Sequence, residues 1–172
     1  MTHKTLHQWK SIALIEEQVT LPNQQIITHT TIKHPGAAVI LPVTAEGEIL
    51  LLSQYRPSLK KWLLELPAGT MELGEDPTQC AHRELIEETG FAANTMISLG
   101  QVTPLAGFCD EIQHLFIAKQ LTPSDQYQCD DDEIIEIVTM SHKQLQQHII
   151  DGKITDAKTI ACLSKAALCG HI

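Results

Sequence analysis

Three glutamates, Glu84, Glu87 and Glu88, stand at i, i+3 and i+4 of a stretch with helical periodicity. Like charges at those spacings repel across one helix face, by about 0.2–0.5 kcal/mol per pair. The cluster makes most sense with a cation against it, and a hard divalent ion such as Mg²⁺ suits carboxylate oxygens. Arg83, four residues before Glu87, is placed to pair with that carboxylate and orient it. Gly69 and Gly74 in the preceding loop let the backbone approach an ion closely, and a carbonyl there, Ala68 being the candidate, adds a ligand.

These groups need a helix to carry them, and its ends are well marked. Asp76 suits the N-cap, Pro77 the first helical position, and Gln79 at N3 completes a capping box. Gly90 suits the position after the last turn, with Phe91 as its hydrophobic contact. At about 100° per residue, Ala81 and Leu85 define the buried stripe. The glutamates fan out beside it at the rim of the core, where unpaired carboxylates are costly.

Upstream, residues 37–43 and 48–55 read as two strongly apolar strands forming a hairpin across Ala45-Glu46-Gly47. A loop carrying Trp62 and Pro67 then leads to the acidic helix. Downstream, strands are expected near 97–103, 114–118 and 134–140. Ser141 with Gln144 caps a helix ending at Gly152, and Asp156 caps a last one with Ile160, Leu163 and Ala167 at helical spacing. The fold class is α/β (α+β): a mixed sheet sandwiched between helices. Residues 12–19 and 25–32 form a small N-terminal antiparallel hairpin, turning at Leu21-Pro22-Asn23. An isolated hairpin is marginal in water, so it must pack on the main domain or on a second copy. His34-Pro35-Gly36 marks the boundary between an N-terminal β region, 1–36, and the main domain, 37–172.

The 172 residues are 43% apolar and 19% charged, enough for one globular domain with a sizeable core. A net charge of −9 argues against nucleic-acid binding, since no basic patch is available to neutralise phosphates. The five cysteines form no CxxC pair, and an odd count at wide spacing reads as reduced thiols in a cytoplasmic protein. No signal peptide or membrane span is expected. The nine histidines show no zinc-ligand spacing, and no P-loop is present. Arg56, just past a buried strand, suits either a bidentate phosphate clamp or a structural ion pair with Glu65. Tyr55, Trp62 and Phe108 suit either adenine stacking or the core.

Residues 69–91 match at every defined position the pattern G-x5-E-x7-R-E-U-x-E-E-x-G-U, with U a bulky apolar residue. The chain therefore resembles the Nudix hydrolases. The flanks are similar to the ADP-ribose pyrophosphatase branch: His34-Pro35-Gly36-Ala37, Gln54-Tyr55-Arg56, Glu65-Leu66-Pro67-Ala68-Gly69, Gly107-Phe108-Cys109-Asp110-Glu111 with His114, and Asp156-Ala157-Lys158-Thr159. The resemblance implies a Mg²⁺-dependent (or Mn²⁺-dependent) hydrolase taking ADP-ribose to AMP and ribose 5-phosphate. It implies Glu84, Glu87 and Glu88 as metal ligands, with Glu75 and Arg83 supporting the loop and helix. It also implies a homodimer whose N-terminal strands help build the interface and the adenine pocket. The general base it implies is a carboxylate on a late loop, the place of Glu133, with Glu87 and Asp131 as competitors. Alternatively, Glu133 belongs to a solvated acidic run. Gly107, Phe108 and Glu111 fall in the loop expected to meet substrate; Glu111 contacts the ribose or the metal, or merely caps that loop. Where the branch usually has Pro-Ser-Pro-Gly-Phe, this chain has Pro104-Leu105-Ala106-Gly107-Phe108. Ala106 replaces a proline associated with ADP-ribose preference, which keeps GDP-mannose and relatives as alternative substrates. A non-catalytic nucleotide sensor is the other alternative, though its usual sign is loss of box glutamates.

Overall fold

The computed structural model describes residues 3–126 and 134–172. The chain order is β1 (Lys4–Trp9), β2 (Ile12–Thr20), β3 (Ile26–Lys33), β4 (Ala37–Pro42), β5 (Glu48–Arg56), β6 (Lys61–Glu65) and β7 (Ala68–Thr70). Then follow α1 (Pro77–Thr89), β8 (Phe91–Val102), β9 (Gln113–Pro123), β10 (Ile135–Ser141), α2 (His142–Ile150) and α3 (Ala157–Leu168). No described helix is long and apolar enough to cross a membrane.

The central sheet runs β7-β4-β9-β8 and is mixed, with β4 parallel to β9 and the other pairs antiparallel. Strand β4 shows how the sandwich forms. All six of its residues are buried, and the pleat sends alternate side chains to opposite faces. Ala38 and Ile40 pack with Cys80, Ala81 and Leu85 of α1, while Val39 and Leu41 pack with Cys162, Leu163 and Ala166 of α3. A continuous apolar run is what burial on two faces requires. The expected sandwich is therefore present, and α1 is docked through the stripe of Ala81 and Leu85, both fully buried.

Three local expectations need correction. Strands β4 and β5 are not a paired ladder: they meet at one bridge, Val43 with Ile49, and then join different sheets. Strand β5 pairs instead with β6 and β10 in a second sheet, β10-β5-β6. Trp62 lies in β6 rather than in a loop, opposite Tyr55. The N-terminal hairpin gains a third strand, β1, giving the sheet β1-β2-β3. All six residues of β1 are exposed, so it carries no hydrophobic alternation that could announce it.

Strand β3 ends on the loop before β9. The Ile32 amide donates to the Phe108 carbonyl (2.8 Å), and the Asp110 amide donates to Ile32 (3.1 Å). Lys33 pairs with the Asp110 carboxylate at 2.9 Å, and the His34 amide donates to the same side chain.

Candidate active site

Helix α1 starts as expected at Asp76, although its carboxylate accepts from the Thr78 amide (2.8 Å) rather than from N3. Gly90 ends the helix at φ 69°, a left-handed conformation that glycine adopts at little cost. One turn of α1 then carries Arg83, Glu84, Glu87 and Glu88 toward β7. Glu84 and Glu88 are buried (8% and 6% exposed), and the Glu87 side chain is 23% exposed.

Arg83 holds this corner together. Its Nε and Nη2 donate to the two oxygens of Glu75 at 2.9 and 3.0 Å. Its Nη1 donates to Glu84 (2.7 Å) and Glu87 (2.9 Å), and Nη2 reaches the Thr70 carbonyl at 3.3 Å. The Glu75 hydrogen bond is the largest influence raising the guanidinium's pKa, and it holds Glu75 below the usual carboxylate range in return. The pairing of Arg83 with Glu87 is present, and Arg83 also serves two further carboxylates.

The three glutamates are not equivalent. Glu84 and Glu87 line a cleft of about 630 Å³ together with Arg56, Gly69 and Arg83. Glu88 turns under β7, where it accepts the Ala68 amide at 2.8 Å and fixes the turn from below. A Cβ added to Gly69 would stand 1.9 Å from the Glu84 carboxyl. Gly69 is therefore glycine because a carboxylate occupies the place of its side chain. Gly74, by contrast, is at φ 80° with nothing near its Cβ position, so its role is the turn. Gly69→Ala is expected to keep the fold while forcing the Glu84 carboxylate aside by about 1 Å. A displacement of that size corresponds to a loss of turnover of about 100-fold. Steady-state kinetics beside a circular dichroism spectrum checks this, and turnover near wild type would refute it.

Among the described residues, no three His, Cys, Asp or Glu side chains stand in an arrangement that could hold a metal ion, and Arg83 occupies the space between Glu84 and Glu87. The donor chemistry nonetheless fits a hard cation. The groups are carboxylates beside a glycine cradle, and the thiol of Cys80, behind Gly69 and Arg83, stays protonated. Burial, then Glu84 and Glu75, push its thiol up to about 12. Glu84 and Glu87 would hold such an ion, with Glu88 setting the turn.

Arg56 makes the structural ion pair of the two alternatives. It forms a bidentate pair with Glu65, Nε to Oε1 at 2.8 Å and Nη2 to Oε2 at 2.6 Å, and it also lines the cleft. Glu65 is 1% exposed. Burial alone would raise its pKa, but the Arg56 hydrogen bonds and the Lys158 charge outweigh this and hold it below normal. Glu65 and Glu75 thus both titrate below their ordinary 4.5 in the folded protein. Their stabilisation is complete above that value and is lost as pH falls through the lower, folded values. The thermal midpoint is expected to be flat above about pH 5 and to fall below about pH 4.5. A midpoint unchanged down to pH 3 would contradict this.

Gly107, Phe108 and Glu111 do not line the cleft. Phe108 is 52% exposed on the loop bound to β3, and Glu111 accepts from Gln113 at 3.0 Å. Glu133 and Asp131 lie outside the described residues. The β1–β2 turn, Trp9 to Ile12, forms one wall of the cleft, with Lys10 at φ 49°. Residue type and spacing report neither the β1–β2 turn as this wall nor the Lys158 contact with Glu65, because each is a meeting across many residues.

The NUDIX domain family matches residues 33–161. The chain is 37% identical over 151 residues to an ADP-ribose pyrophosphatase of Bacillus subtilis (strain 168), covering 87% of this chain and 82% of that protein. It is 37% identical over 150 residues to a methanol dehydrogenase activator of Bacillus methanolicus, covering 87% and 81%. A GDP-mannose pyrophosphatase of Yersinia enterocolitica is 34% identical over 145 residues, covering 78% and 74%. Among solved structures, that of an ADP compounds hydrolase superposes with a TM-score of 0.81 at 17% identity, covering 97% of this chain and 90% of that one.

Proposed function

Since the chain belongs to the NUDIX family, as a pyrophosphohydrolase of the ADP-ribose pyrophosphatase type, we propose that it hydrolyses ADP-ribose to AMP and ribose 5-phosphate with Mg²⁺. The observation that carries this reading is the meeting of Glu84, Glu87 and Arg56 on one cleft beside Gly69. The cleft is lined by charges of both signs, Glu72, Glu84 and Glu87 with Lys10, Arg56 and Arg83, which suits a dianionic diphosphate that arrives with a divalent ion.

In this mechanism a water oxygen bonds to one phosphorus, the bridging P–O bond breaks, and the water's proton passes to a carboxylate. The ion would supply charge neutralisation on the diphosphate oxygens. Arg56 grips a phosphate oxygen, and Arg83 keeps Glu84 and Glu87 in place. We assign the base to Glu133, with Glu87 and Asp131 as the competing carboxylates. Glu65 serves the substrate through Arg56. Gly107, Phe108 and Glu111 lie off this cleft and would meet only a part of the substrate that extends beyond it, while Ala68, in the lining, would lend its carbonyl to the ion.

The second reading is a nucleotide-sugar diphosphatase preferring GDP-mannose, favoured by Ala106 and by the relative of that name. Turnover of ADP-ribose, GDP-mannose and NADH at equal concentrations, with products identified, separates the two. Equal or faster turnover of GDP-mannose overturns the ADP-ribose reading. Removal of divalent ions by a chelator is expected to abolish turnover, and Mg²⁺ or Mn²⁺ to restore it; an unchanged rate would overturn the metal requirement. The β1-β2-β3 sheet leaves Leu6, Trp9 and Ile26 between 43% and 65% exposed, which supports a homodimer covering it. Light scattering giving a monomer mass would remove that part. The odd, widely spaced cysteines support a cytoplasmic enzyme, and the net charge of −9 supports a role away from nucleic acid.

A further inference from the structure

Behind Arg56 and Glu65 a closed circuit of polar groups continues into α3, through Lys158, Asp156 and Thr159, to which the reaction as described gives no role. Lys158, on the first turn of α3, donates to Glu65 Oε2, the oxygen that also accepts Arg56 Nη2. Its ammonium is 3.1 Å from Asp156 Oδ1. Asp156 Oδ2 accepts the Thr159 amide (3.0 Å) and hydroxyl (2.6 Å), and the Thr159 oxygen accepts the Leu66 amide at 2.8 Å. Leu66 follows Glu65 in the chain, so the circuit returns to its start. The Lys158 and Asp156 side chains are 12% and 15% exposed, and Arg56, at 34%, is the member that reaches the cleft.

A buried carboxylate with one arginine has several ways to be satisfied, end-on or side-on. A second cation on Oε2 removes most of them. Arg56 is then held through Nε and Nη2, which leaves Nη1 for an anionic oxygen in the cleft. A guanidinium already fixed in one rotamer loses little further freedom when it binds an anion.

We propose that Lys158 is a positioning residue for diphosphate binding: it locks Glu65, and through Glu65 it presents Arg56 to the substrate. The proposal rests on the hydrolase reading above. Its chemistry is indirect, since Lys158 meets Glu65 and Asp156 rather than the cleft.

The test is a double-mutant cycle on the full chain with ADP-ribose and Mg²⁺, run below the thermal midpoint of every variant. Lys158→Met is expected to raise KM about 10-fold and to leave kcat near wild type. Lys158→Arg should recover most of the loss. In an Arg56→Met background, Lys158→Met should change KM no further, because both act through one guanidinium. A lowered thermal midpoint with unchanged KM, or the same fold-change in both backgrounds, overturns the proposal. Lys158→Gln replaces Lys158→Met in the cycle if the latter does not fold. Wild-type protein inert on ADP-ribose would instead sink the substrate reading; the cycle is then read on the Kd for ADP, with the same criteria.

Discussion

Glu84→Gln is expected to lower turnover by about 10²–10³-fold while the protein keeps its fold. The amide preserves the shape that fills the place of a Gly69 side chain, and its oxygen still accepts from Arg83 Nη1. An ion pair becomes a hydrogen bond from the charged guanidinium to a neutral amide oxygen, a change of about 1 kcal/mol. Repulsion from Glu87 and Glu88 falls at the same time by a few tenths of a kcal/mol for each, on the order of helix-face pairs. Stability is therefore nearly unchanged, whereas the negative charge offered to a cation in the cleft is reduced by one. Kinetics beside a thermal melt checks both halves. A rate within threefold of wild type would remove Glu84 from the site.

Arg83→Met is expected to have the largest effect on stability, about 3–5 kcal/mol, the cost of removing one partner from a buried ion pair. Arg83, Glu75, Glu84 and Glu87 have side chains 18%, 12%, 11% and 23% exposed, so solvent screens them weakly. Without Arg83 the carboxylates face one another beneath β7, and Thr70 also loses a donor. The sign of the pH dependence follows. Glu75 is depressed in the folded wild type by its bond to Arg83, so the difference between wild type and variant is full above about pH 4.5 and shrinks as pH falls through the folded value. Added Mg²⁺ is expected to recover part of the loss by replacing the missing cation. Denaturant titrations at pH 7 and pH 4, with and without Mg²⁺, test all three statements. A variant as stable as wild type at pH 7 would show that the corner does not depend on Arg83.

Much of this corner was legible in the residues because its signals are local. The helix bounds, the caps at Asp76, Ser141 and Asp156, and the apolar stripe of Ala81 and Leu85 each arise from groups within about one turn of one another. The fully buried β4 announced itself in the same way. What stayed illegible has no local signature. Strand β1 is polar and exposed, β6 is short and pairs through a tight turn, and the parting of β4 and β5 into two sheets depends on what each meets across the core.

The candidate site divides along the same line. From its sequence alone the chain determines a charged helix face, its spacing and the glycines before it, because side chains three or four residues apart must share a face. Tertiary structure decided that Glu88 supports the turn while Glu84 and Glu87 line the cleft, and that Arg56 answers to a buried Glu65 held by α3. Those outcomes depend on which distant surfaces close over which charges, and burial is a property that no spacing along the chain can state.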